Sequence, residues 1–236
     1  MRPLLLALWP LWPLWPLWPL WPLWRATARR LLLALCVLSL ASSSTRAQSP
    51  SALERAVLDE TNLARTDPAA YALHLERMLP WFEGNVLMRP GSNIGLRTDE
   101  GSAAVREAVA FLRLQEPRMA LSWSDGLWRA ARDHALDQGP TGATGHTGGD
   151  GSTLDERTKR YGRWLETVGE NIEYGSATAR EVVIALIVDD GVASRGHRTN
   201  IFATTFRVMG AACGPHTRYR QLCVIDYAGG FEPPPR

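Results

Sequence analysis

Two histidines and a few carboxylates sit where this chain spends almost no apolar residues. The stretch GHTGGDGS (Gly145–Ser152) holds four glycines in eight positions and carries His146. RGHRTNI (Arg195–Ile201) carries His197, and GEN (Gly169–Asn171) carries Glu170. Asp189 and Asp190 close an apolar run just before the second histidine. Two imidazoles and two carboxylates make a donor set for a divalent transition metal, zinc first, with room for water or a ligand. The same groups could instead form an acid–base cluster or a purely hydrogen-bonded network. Separations of 24 and 27 residues between His146, Glu170 and His197 decide nothing about proximity, so the fold has to bring them together. Glycine lets bare backbone approach a cleft without filling it, and His146 is therefore expected to face open space.

Other eye-catching residues read as structural. His134 recurs at helical spacing among alanines and is expected to be packed and hydrogen-bonded. His74 reads as a boundary residue, and His216, beside Arg218 and Arg220, as a solvated loop residue. Trp123, Trp128 and Trp164 read as core anchors. Asp150 and Ser152 suit a turn and a cap better than a nucleophile pair. The chain has no G-x-S-x-G elbow and no H-E-x-x-H helix, so the usual serine-hydrolase and zincin signatures are missing.

The elements that must position these residues can be followed along the chain. Ser51 to Glu54 spells a capping box, followed by a stripe of Leu53, Val57, Leu58 and Leu63. Asp67-Pro68 opens a second helix expected to reach Pro80. WFEGNVLMRPGSNIGLRT reads as loop. A helix is expected over Ser102–Leu114, and another from a Ser124 cap to Gly139. Ser152 is expected to cap a short helix, ENIEYG to form a short strand, and Ser176 to start an apolar helix ending at the two aspartates. Gly191–Thr199 reads as loop, and RVMGAACG with RQLCVIDYAGG as a β-hairpin. Helices early and strands late imply an α+β layered domain.

The first 47 residues read differently. Residues 9–24 are a WPL repeat containing six of the ten tryptophans. Proline at every third position rules out a spanning helix, and the tract is expected to reflect a start assigned too far upstream. Residues 25–47 fit a secretory signal: Arg25, Arg29 and Arg30, an apolar core Leu31–Ala41, and cleavage near Ala47. The expected domain is 48–236, secreted or periplasmic, with no stable membrane span. Losing five arginines and no acid takes the formal charge from +2 to −3, which leaves no basic footprint for nucleic acid. Cys213 and Cys223 flank a turn-rich segment, and pairing across the hairpin is the expected outcome for an exported chain.

In this order and at these separations, GHTGGDGS, GENI and GHRTNI resemble the signature of the CAP superfamily of cysteine-rich secretory proteins, antigen 5 and plant pathogenesis-related-1 proteins. LDETNLARTDPAAYA and LWRAARDHALDQG are similar to its first helices, in the bacterial type of sequence. The resemblance implies a single-domain α-β-α sandwich with a central antiparallel sheet and a cleft holding two histidines and two acids. By position these are His146, His197 and Glu170, with Asp189 as the fourth member and Asp190 its rival. It also implies a cleft that binds a divalent cation on His146 and His197 and a small or apolar ligand. The partner would be an extracellular lipid or protein. An interaction protein with a structural tetrad, and a hydrolase using Glu170 or a metal-bound water, are the alternatives.

Overall fold

Ser51 starts the first helix as its sequence dictates: its hydroxyl accepts the Glu54 N–H, and the Glu54 carboxylate accepts the Ser51 N–H in return. The computed structural model describes residues 49–235, so the WPL tract, the signal-like segment and its cleavage site lie outside the described residues. Helix α1 (Ala52–Thr66) leads to Asp67, whose carboxylate caps α2 (Pro68–Glu76) by accepting the Ala70 N–H. Helix α2 stops well before Pro80, and a 3-10 turn follows at Leu79–Trp81.

The segment expected to be loop forms a small antiparallel sheet of β1 (Phe82–Glu83), β2 (Val86–Leu87) and β3 (Leu96–Arg97). Two-residue strands are too short to show a period. Gly95 permits the closure, since a Cβ there would lie 2.3 Å from the Val86 side chain. Helix α3 (Ser102–Leu114) then turns Ala104, Val105, Ala108 and Leu112 into the core.

Strand β4 (Ser122–Trp123) precedes α4 (Asp125–Thr141), capped by Ser124 as expected. Helix α4 runs past Gly139 and through Pro140, ending at Gly142 in the left-handed region (φ 73). Proline in the last turn sacrifices one N–H where the ladder is about to end, so the break is postponed. Helix α5 (Leu154–Lys159) is capped by Thr153 rather than Ser152, because Glu156 three residues on completes a capping box. Strand β5 (Arg163–Tyr174) is far longer than ENIEYG. Helix α6 (Ala179–Val188) starts from Thr178, again with a boxed Glu181, while Ser176 is spent on Glu173. The expected loop before Thr199 instead enters α7 (Gly196–Phe202), whose Ile201 and Phe202 are buried. Strands β6 (Val208–His216) and β7 (Arg220–Glu232) form the predicted hairpin.

The main sheet has the order β4-β6-β7-β5, antiparallel except where β4 joins β6. Alternation along β6 and β7 builds two cores. Met209, Ala211, Ile225 and Tyr227 face the larger one with Val57, Leu112, Val183 and Ile187 from the helices. Ala212, Leu222 and Val224 face the other, under Trp128, Ala131 and Ala135 of α4. Helices cover both faces, which makes this an α+β chain built as an α-β-α sandwich. Gly210 sets how closely α4 sits, because a Cβ there would lie 2.1 Å from the Trp128 backbone nitrogen.

Cys213 and Cys223 stand directly opposite each other on β6 and β7 and are disulfide-bonded. His216 contradicts the solvated reading, being 2% exposed. Its Nδ1 accepts the N–H groups of Arg218 and Tyr219, and its Nε2 lies 2.9 Å from the Ala143 carbonyl. It shapes the hairpin turn and clamps it to the end of α4. Of the three expected tryptophan anchors Trp128 is buried, and Trp123 is half-buried and packs against both cores. Trp164 is half-buried and donates to Asp155, and Trp123 lies under the Arg55 guanidinium.

Candidate cleft and its two histidine–carboxylate pairs

The four residues singled out from the sequence form two pairs. His146 Nδ1 lies 2.8 Å from Glu170 Oε1, and His197 Nδ1 lies 2.6 Å from Asp189 Oδ1. Each imidazole is partly open, at 58% and 25% side-chain exposure, while each acid is 2% exposed. Buried carboxylates therefore orient solvent-facing rings and leave Nε2 as the outward nitrogen.

The glycine-rich loop before His146 is tied down at one residue, Gly145. The Gly145 N–H donates to Tyr174 Oη (3.0 Å), and the Gly145 carbonyl meets both Gln138 Nε2 and His134 Nε2. His134 is fully buried, as its helical spacing implies. Past Gly145 (φ 99) the backbone is open, since a Cβ added there would meet nothing within 4 Å. Ser152 donates its N–H to Asp150, so these two close the loop's own turn.

Arg157 of α5, which motif reasoning missed, is the strap for this half. Its guanidinium donates to the carbonyls of His146 (3.0 Å) and Ser152 (2.9 Å) and to Glu170 Oε2 (2.7 Å). Its side chain is 1% exposed. Burial works to raise the Glu170 carboxyl, but the hydrogen bond from His146 and the charge of Arg157 outweigh it and hold it below the usual range. The hydrogen bond to Glu170 in turn raises His146 against its partial burial. With both oxygens engaged and its basicity lowered, Glu170 is suited to orienting rather than to taking up a proton.

The second pair depends on two strained residues. Asp189 ends α6 in the left-handed region (φ 54), so its Oδ2 can accept the His197 N–H at 2.9 Å while Oδ1 holds the ring. Arg195 is also left-handed (φ 50) and donates to the Asp189 carbonyl and to Glu100. Arg198 continues the latch to Glu107 on α3 and to the Ile187 carbonyl. Asp190 points elsewhere, accepting the N–H groups of Asp99 and Glu100.

Strand β5 links the halves. Asn171 Nδ2 donates to the His197 carbonyl (3.0 Å), and Asn200 Nδ2 donates to Asn171 Oδ1 (2.8 Å) and the Glu170 carbonyl. Both asparagines tie loops, as their positions beside the motifs suggest. Asp226, also missed, faces Glu170 across β5 and β7 and is completely buried with no hydrogen-bond partner at either oxygen.

A cavity of about 920 Å³ opens beside the second pair. Met78, Trp81, Phe82, Leu96, Ile184 and Val188 give it apolar walls between α2, the small sheet and α6. Asp189 and His197 line it, whereas Glu170 and His146 do not. Among the described residues, no group of three or more His, Cys, Asp or Glu side chains is arranged to hold a metal. The acids are already spent on orienting the rings, which leaves the two Nε2 atoms as donors.

Residues 106–227 match the CAP family model, described as the cysteine-rich secretory protein family. Solved structures similar to this chain include an outer surface protein of Borrelia burgdorferi, 21% identical, covering 47% of this chain and 78% of that one with a TM-score of 0.40. Another is an extracellular protein of Bacillus anthracis containing an SCP domain, 19% identical, covering 47% of this chain and 34% of that one with a TM-score of 0.38. No curated protein matches the chain.

Proposed function

The chain belongs to the cysteine-rich secretory protein (CAP) family, and from that premise we propose that it is an extracytoplasmic binding protein whose cleft takes a small or apolar ligand. The observation that carries this reading is the 920 Å³ cavity, which lies within the size range of small-molecule sites and has mostly apolar walls with a few polar groups. An exported location is supported by the signal-like segment over 25–47 and by the Cys213–Cys223 disulfide. Among the described residues, no helix is long and apolar enough to cross a membrane.

Titration with the neutral fluorophore N-phenyl-1-naphthylamine tests the cleft. Saturable binding to the wild type, lost when Ala185→Trp fills the cavity, supports the reading; equal binding to both, or none, removes it.

A divalent cation, zinc first, would be held by His146 and His197 through Nε2, with water completing the shell. Support comes from the ring orientation, in which a buried carboxylate fixes each Nδ1 as in known metal sites. The competing reading, a tetrad that only latches loops, has its own support in the hydrogen bonds that spend both acids. Calorimetric zinc titration of the wild type and of the His146→Ala/His197→Ala variant separates them. Equal affinity ends the metal reading, and a lowered melting temperature alone favours the latch.

A further inference from the structure

Four arginines line the cavity: Arg77, Arg89, Arg97 and Arg180. Two are neutralised, Arg89 by Glu181 and Arg180 by Glu60. Among the described residues, Arg77 and Arg97 have neither an ion-pair nor a hydrogen-bond partner for their guanidinium groups. The acids of the lining are committed elsewhere. Asp189 serves His197, Asp190 serves two backbone N–H groups, Glu181 serves Arg89 and Glu173 serves Ser176. An apolar trough thus carries two uncompensated positive charges on its rim.

Such a site matches a molecule with an apolar chain and an anionic end. A guanidinium offers a planar fork of donors, and two of them suit a multi-oxygen, doubly charged head better than a single carboxylate. We infer that the cavity takes a single-chain amphiphile with a phosphate head, its chain lying along Met78, Phe82, Ile184 and Val188 and its head on Arg77 and Arg97. This rests on reading the cleft as an apolar-ligand site and adds the class of ligand to it. The small sheet supplies both the wall residue Phe82 and the rim residue Arg97, so the segment 82–97 acts as a specificity element.

The test is displacement of bound N-phenyl-1-naphthylamine by decyl phosphate, decanoate and 1-decanol on the purified protein. Decyl phosphate should act at a concentration about tenfold lower than decanol, the size of effect expected for charge-assisted hydrogen bonds. Arg77→Gln/Arg97→Gln should erase that margin and leave displacement by decanol unchanged. Equal potency of the three compounds, a preference for decanoate, or a phosphate margin that survives the double substitution overturns the inference while the cleft reading stands. Failure of the fluorophore itself to bind removes the cleft reading instead.

Discussion

Glu170 on β5 stands directly opposite Asp226 on β7, and both side chains lie on the face of the sheet covered by α4 and α5. Glu170 has His146 and Arg157 to hold its charge. Asp226 has neither, and burial together with its charged neighbour raises it well above the usual carboxylate range. Within the pair, Glu170 is held toward the anion and Asp226 is pushed toward the protonated acid.

Asp226→Asn follows from that asymmetry. An acid raised by folding lends stability below its unfolded value of 3.8 and loses it as pH climbs through the folded one. Asparagine is neutral throughout, so the variant should melt increasingly above wild type as pH rises from 4 to 8. A gain of ~1 kcal/mol corresponds to about 2–4 °C in a domain of this size. A melting difference independent of pH would sink the assignment.

Arg157→Ala should be among the most damaging single changes. It leaves Glu170 buried without its guanidinium and frees the His146 loop at two carbonyls. Breaking a buried ion pair on one side costs on the order of 3–5 kcal/mol. Urea unfolding measures it, and a loss below ~1 kcal/mol would show that Arg157 is no strap.

Glu173→Gln probes a buried acid of the cavity wall. Burial lifts Glu173 from 4.5 to about 7 despite its hydrogen bonds from Ser176. Its protonated form stabilises the fold below pH 4.5, and that contribution fades as pH rises through about 7. The variant should gain ~1–3 kcal/mol over wild type across this window and then plateau. Thermal melts between pH 4 and 9 decide it, and a gap that keeps widening above pH 8 counts against this origin.

Cys213→Ser/Cys223→Ser should lower stability by about 2–3 kcal/mol, the loop-closure value for so short a loop. Tyr174 and His216 pack against each other, and His216 holds the turn, so the hairpin should still form. Equilibrium unfolding with and without reductant checks the number. No difference would mean that neighbouring contacts already confine the hairpin in the unfolded chain.

Local chemistry explains why much of this was legible before any coordinates. The Ser51–Glu54 box, the Asp67-Pro68 start, the Ser124 cap and the alternation of β6 and β7 depend on residues within a few positions of one another. Those signals need no partner from elsewhere. The three motif segments likewise marked His146, Glu170 and His197, because glycine-rich polar stretches stand out against an apolar chain.

Long-range contacts decided the rest. Two-residue strands over 82–97 acquire meaning only by pairing, and α7 becomes helical where Ile201 and Phe202 find the core. Nothing in its local sequence marks Arg157 as the group that holds Glu170, or Asp226 as its buried neighbour, since strand register and the placement of α5 create both relations. Residue types along the chain state which charges and hydrogen bonds are on offer. Which of them meet, and which are shut away from water, depends on distances that only the packed tertiary structure sets.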